Sequence, residues 1–176
     1  MTTKEIATWI REWFREHPNC NKLDLMYEDF IENIPTYEYV GKLTELIWKI
    51  EPLKYLSYIP EGMFCDCKSI TNMVIPNHIT SIGTGAFIGC STLTSIIIPE
   101  SVTTIGDYAF SGCYRLTNVT MTNSITNMCS AAFADCGDIQ ITYPGTIQEW
   151  KNLIMGKTIF PGTTYVCRCS DGVIYQ

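Results

Sequence analysis

The sequence predicts an α+β chain, a short stacked solenoid of 23-residue units set behind a helical front third. Three observations carry that reading. Phe64, Phe87, Phe110 and Phe133 recur at that one interval, and Cys67, Cys90, Cys113 and Cys136 follow each of them by three. Apolar columns begun by Leu56, Ile59, Ile70 and Met73 keep the same register, and a fixed period of this size marks a solenoid. The charge changes at the same boundary: residues 1–63 hold eleven acidic and seven basic side chains, whereas residues 64–143 hold five and two.

The front third reads as three short helices. Thr2 and Glu5 fit a capping box, and Ile6, Trp9, Ile10, Trp13 and Phe14 then share one face until Pro18 stops the pattern. A second helix is expected from about Lys22 to Asn33, with Leu23, Met26, Tyr27, Phe30 and Ile31 on one face and Glu28, Asp29 and Glu32 on the other. A third is expected from about Tyr37 to Ile50, ending before Pro52. Helices this short need tertiary packing. The aromatic stripe reads as core, and the acidic face as solvated or as a contact for a basic partner.

Each repeat unit divides into three pieces. Leu93-Thr-Ser-Ile-Ile-Ile-Pro99 is β-branched and reads as a strand that Pro ends, as Pro76 does one unit earlier. Val102-Thr-Thr-Ile105 reads as a second extended piece on the opposite side. Gly83 and Gly106 are expected to turn the chain, after which Ala86-Phe87 and Ala109-Phe110 plug the interior from a tight turn. One unit cannot bury its apolar face alone, so stability must come from stacking. The third unit departs from the pattern, with Thr122 in place of Pro and Met128-Cys129 in place of Ile-Gly.

Two segments carry a family resemblance: Ile75-Pro-Asn-His-Ile-Thr-Ser-Ile-Gly-Thr-Gly-Ala-Phe-Ile-Gly-Cys90, and Ile98-Pro-Glu-Ser-Val-Thr-Thr-Ile-Gly-Asp-Tyr-Ala-Phe-Ser-Gly-Cys113. They resemble the BspA-type leucine-rich repeat family, over roughly residues 56–143. The resemblance implies a leucine-rich-repeat solenoid used for contact with other proteins or cell surfaces. The chain is thus expected to divide into a helical capping or interaction region at 1–55, which lies outside the resemblance, the repeats at 56–143 and a closing module at 144–176.

Composition removes several functional classes. The chain has 176 residues, 46% hydrophobic, with a formal net charge of −6, which argues against sequence-independent nucleic-acid binding. Its apolar runs are too short to insert in a membrane. Residues 1–20 lack the basic start and apolar stretch of a signal peptide, so a cytoplasmic protein is expected, or a secreted or cell-surface one if a leader has been removed. The sequence carries no nucleophile elbow, P-loop or dinucleotide fingerprint, and its histidines, His17 and His78, stand outside any catalytic pattern. An enzyme is therefore not expected, and neither is a cofactor. Four of the nine cysteines are repeat positions and read as buried thiols; Cys65-x-Cys67 and Cys167-x-Cys169 could offer thiolates, but they lie a hundred residues apart, and no metal is expected.

What remains is surface. Between the buried columns of the repeat strand, Thr71, Thr94 and Thr117 should point outward, as should Asn72, Ser95 and Asn118, and Val74, Ile97 and Thr120. The leading expectation is a non-catalytic protein-interaction module using that face and the front helices. One alternative is a small acidic intracellular inhibitor of a basic, nucleic-acid-handling defence protein, of the phage-borne type, engaging through Glu28, Asp29 and Glu32. Another is a fragment of a cell-surface adhesin.

Overall fold

The computed structural model describes residues 56–68 and 70–176. The three front helices expected between Thr2 and Ile50 lie outside the described residues. What is described is a β-solenoid of leucine-rich-repeat type with one short helix.

Each unit contributes one strand to each of two sheets. The smaller, four-stranded sheet stacks β1 (Tyr58–Ile59), β3 (Ser81–Ile82), β5 (Thr104–Ile105) and β7 (Asn127–Met128) in parallel. The larger begins with β2 (Asn72–Val74), β4 (Ser95–Ile97) and β6 (Asn118–Thr120), continues through β8 (Ile139–Thr142) and β9 (Tyr165–Cys169), and ends on β10 (Gly172–Tyr175). All its pairs are parallel except β9 with β10, a hairpin closed by Ser170 and Asp171. Parallel strands joined by crossovers have both ends of every connection committed, which is why a strict repeat length and a strict register go together.

The register is held at the corners as well as in the sheets. The amides of Phe64, Phe87 and Phe110 donate to the carbonyls of Ala86, Ala109 and Ala132 in the next coil at 2.7, 2.7 and 2.8 Å. Beneath those bonds the four phenyl rings stack face to face with centroids 5.1, 5.1 and 5.0 Å apart. That spacing is close to the separation of neighbouring strands, so ring stacking and backbone pairing are satisfied together.

Gly83 and Gly106 differ from their expected role. Their φ is not in the left-handed region; instead a Cβ on Gly83 would lie 2.7 Å from the Glu61 amide nitrogen, and one on Gly106 would lie 2.7 Å from that of Thr84. They are close-approach residues that let coils touch backbone to backbone. The left-handed positions fall later, at Gly85 and Gly89 in one coil and at Tyr108 and Gly112 in the next. Tyr108 occupies such a position despite its side chain.

The last turn of the solenoid breaks the count. Val119 pairs with Ile141, one position short of the period, so the buried set becomes Ile139, Ile141 and Tyr143 in strict alternation and β8 is a longer strand. Phe160 then continues the ring stack, 5.5 Å from Phe133, although it comes four positions later than the period would place it. The lengthened segment holds the helix α1 (Ile147–Ile154), which packs against β7 and β10. Thr146 and Glu149 close a capping box at its start, and Trp150 and Leu153 are its buried face. Trp150 lies 5.4 Å from Tyr143 and 6.0 Å from Tyr165, ring centre to ring centre, and seals the end of the core.

Gly106→Ala should destabilise the protein more than Gly156→Ala. Gly156 is left-handed but meets nothing within 4 Å, so its penalty is about 1 kcal/mol of backbone strain. Chemical denaturation of the two variants compares them directly; equal losses would remove the close-approach account.

Candidate binding face

The outer surface of the six-stranded sheet is built by alternation. In β2, β4 and β6 the middle residue, Met73, Ile96 or Val119, is buried, and its neighbours face outward. Register then turns single residues into rows. One row runs Asn72, Ser95, Asn118, Gln140, Val166 and Tyr175; the next runs Val74, Ile97, Thr120, Thr142, Arg168 and Val173. Thr71, Thr94 and Thr117 precede the strands along the same side, all exposed. The sheet thus brings Thr71, Val74, Thr94, Ile97, Thr117 and Thr120 onto one surface.

Their chemistry is not equivalent. The Thr94 hydroxyl donates to the Thr71 carbonyl at 3.0 Å, and that of Thr117 to the Thr94 carbonyl at 3.4 Å. These hydroxyls tie coil to coil, as do those of Thr80, Thr103 and Thr126 on the smaller sheet, which donate to Ser57, Thr80 and Thr103. Ser95 likewise donates to the Asn72 side chain at 2.6 Å. Side by side in register, Val74 and Ile97 are 51% and 61% exposed, and their side chains are aliphatic. They form the apolar centre of an otherwise amide- and hydroxyl-bearing face.

Toward β9 and β10 the face acquires features that the repeat columns did not supply. Gln140, Val166 and Tyr175 line an open groove of about 400 Å³ together with Asp138 and Thr164, and Thr164 donates to the Asp138 carboxylate. The overlooked signal lay in Tyr165-Val-Cys-Arg-Cys169 and Gly172-Val-Ile-Tyr175, two alternating runs around a Ser-Asp turn. Glu28, Asp29 and Glu32 lie outside the described residues.

The cysteine ladder has a structural use. The thiols of Cys90, Cys113 and Cys136 donate to the carbonyls of Phe64, Phe87 and Phe110 in the preceding coil, at 3.0, 3.2 and 3.1 Å. In the final coil Thr163, three positions after Phe160, takes the same place and donates to the Phe133 carbonyl at 2.8 Å. Burial pushes all three ladder thiols up, aided at Cys113 by its ladder neighbours, and Cys136 reaches about 12. At neutral pH they stay protonated and act as hydrogen-bond donors. Cys65 and Cys67 lie in the first described coil and Cys167 and Cys169 on β9, so the two Cys-x-Cys pairs do not meet; the latter two sulfurs are 3.7 Å apart. Among the described residues no group of three or more His, Cys, Asp or Glu is placed to hold a metal. None of their helices is long and apolar enough to cross a membrane.

The BspA type leucine rich repeat region, in six copies, matches residues 29–159. The chain belongs to that family. The match reaches further at both ends than the resemblance at 56–143 and takes in α1. A leucine rich cell surface protein from Faecalibacterium prausnitzii is 33% identical with a TM-score of 0.51, over 53% of this chain and 25% of that one. A leucine-rich repeat protein from Bacteroides ovatus is 30% identical with a TM-score of 0.45, over 62% of this chain and 25% of its own length. The chain therefore spans about a quarter of either structure. No curated protein matches it.

Raising the pH should weaken the fold from about 9 upward. Unfolded, a thiol ionises near 9, whereas folded Cys136 holds its proton to about 12. Its contribution is complete below the lower value and is lost between the two, by up to about 1.4 kcal/mol per pH unit for each such thiol. Melting curves from pH 7 to 10.5 measure this, and Cys136→Ser, which keeps a donor that does not titrate, should flatten the slope.

Proposed function

We propose that this protein is a non-catalytic protein-interaction module that offers the outer face of its six-stranded sheet to a partner protein. The observation that carries the proposal is the exposed pair Val74 and Ile97, held in register on a ladder that cannot retract them. An aliphatic centre ringed by Thr, Asn and Ser has the anatomy of a binding patch: apolar contact supplies affinity, and the uncharged rim leaves hydrogen bonding to set orientation. Family membership supports the same reading, since solenoids stack their units into extended surfaces that partners use. The repeat strands contribute no charge to these rows, and Arg168 on β9 is the one charged residue they contain, so the partner surface that fits is flat and largely uncharged.

The likeness to the leucine rich cell surface protein of Faecalibacterium prausnitzii supports display at a cell surface. That setting is a second, separable reading. The acidic-inhibitor alternative, built on Glu28, Asp29 and Glu32, gains no support from the face described here.

Ile97→Asp should leave the melting temperature within about a degree or two, because an exposed position contributes little to folding. It should weaken partner binding at least tenfold, the loss expected when one aliphatic contact worth about 1.5 kcal/mol is replaced by a charge. Binding of wild type and variant to the partner recovered by affinity purification, measured by calorimetry, decides it. Unchanged affinity would move the binding site off this face.

A further inference from the structure

Among the described residues the six-stranded sheet ends on β10, and its hydrogen-bond parity turns one side of that strand away from β9. Tyr165 and Gln176 exchange both backbone bonds, at 2.8 and 3.0 Å. In an antiparallel pair, bonded and non-bonded positions alternate. Since Tyr175 faces Val166, Ile174 faces Cys167 and Val173 faces Arg168, Ile174 is bonded to β9, whereas Val173 and Tyr175 direct their amides and carbonyls away from it. On the other side of β9 the Arg168 carbonyl is used, accepting from Tyr143 at 2.9 Å, as the same alternation requires. Among the described residues, the outer edge of β10 thus presents two donors and two acceptors in the pattern of a vacant ladder.

Natural proteins usually blunt such an edge with charge, proline or a bulge. Gly172-Val-Ile-Tyr175 has none of these, and its outward side chains are apolar: Val173 is 38% exposed and Tyr175 is 76% exposed. The edge is also self-complementary. A two-fold axis at Ile174 sets Val173 of one copy against Tyr175 of the other. That arrangement satisfies all four donors and all four acceptors with four bonds and makes two aromatic–aliphatic cross-strand pairs, a favourable combination. No charged residue of the strand meets its symmetry mate.

We propose that β10 is a homotypic docking edge, through which a second copy of this chain pairs antiparallel and joins the two six-stranded sheets into one. The binding face proposed above is then presented twice on a continuous surface. The pairing is independent of whether that face binds a protein. A strand this short buries far less than a standard interface, so the dimer is weak and depends on concentration.

Sedimentation equilibrium of the full chain from about 1 μM to 1 mM tests this. The expected result is a reversible monomer–dimer equilibrium within that range. Tyr175→Pro removes an outward amide while leaving every β9–β10 bond in place, and it should shift dissociation at least tenfold toward monomer with unchanged circular dichroism. Should Tyr175→Pro unfold the hairpin, Val173→Lys keeps all backbone groups and is expected to shift the equilibrium the same way. Backbone exchange gives a second readout: the Val173 and Tyr175 amides should slow as concentration rises, and the Ser170 amide should not. A wild-type chain that stays monomeric throughout, or a dimer indifferent to both substitutions, overturns the proposal.

Discussion

The constraint on which this structure depends is that a coil can satisfy itself only on its neighbour. Its strands are two or three residues long over most of the repeat, too short to hold a conformation alone, and the corner amides have their acceptors in the adjacent coil. Three sets of contacts then have to repeat with one translation: the phenyl stack, the strand pairs and the thiol-to-carbonyl bonds. Each would tolerate a slightly different spacing. A spacing near that of the stacked rings, 5.1 Å, meets the requirements of all three, and glycine at positions 83 and 106 lets the backbones come that close. The scarcity of charge follows, because a side chain wedged between such coils has no water to solvate it.

The same logic accounts for Cys90, Cys113 and Cys136. The ladder position needs a small, mostly apolar side chain with one donor, reaching a carbonyl that lies in the interior. A thiol meets this with little desolvation penalty, and Thr163 meets it where the coil is closing and more open to solvent. At those three positions cysteine reports interior geometry. The threonines outside play the matching part, committing their hydroxyls to carbonyls of the preceding coil. That leaves the aliphatic pair as the apolar portion of the face.

Much of this was legible in the residues. A period kept by Phe, Cys and four aliphatic columns fixes stacking, burial and register together, and burial of Met73, Ile96 and Val119 follows from it. Legibility failed where the period did. Phe160 stands beyond the position that the interval from Phe133 marks out, so no column search connects the two, although Phe-x-x-Thr repeats the geometry of Phe-x-x-Cys. The helix α1 carries a capping box at Thr146 and Glu149 of the same kind as that read at Thr2 and Glu5, yet its setting inside a closing segment hid it. The glycine roles were misassigned for a different reason: sequence records that a residue is glycine, but crowding by another coil and freedom of φ leave the same letter.

The one-position shortening between Val119 and Ile141 and the inserted helix place the largest irregularities in the last turn. Upstream of it, neighbouring coils repeat the same strand pairs, ring stack and corner amide bonds, so one repeat unit is close to interchangeable with the next. Duplicating or deleting one would leave both ends chemically unaltered and would lengthen or shorten the outer face by one strand spacing, about 4.8 Å. Reach is therefore a quantity that recombination can adjust in fixed steps, without rebuilding the core each time.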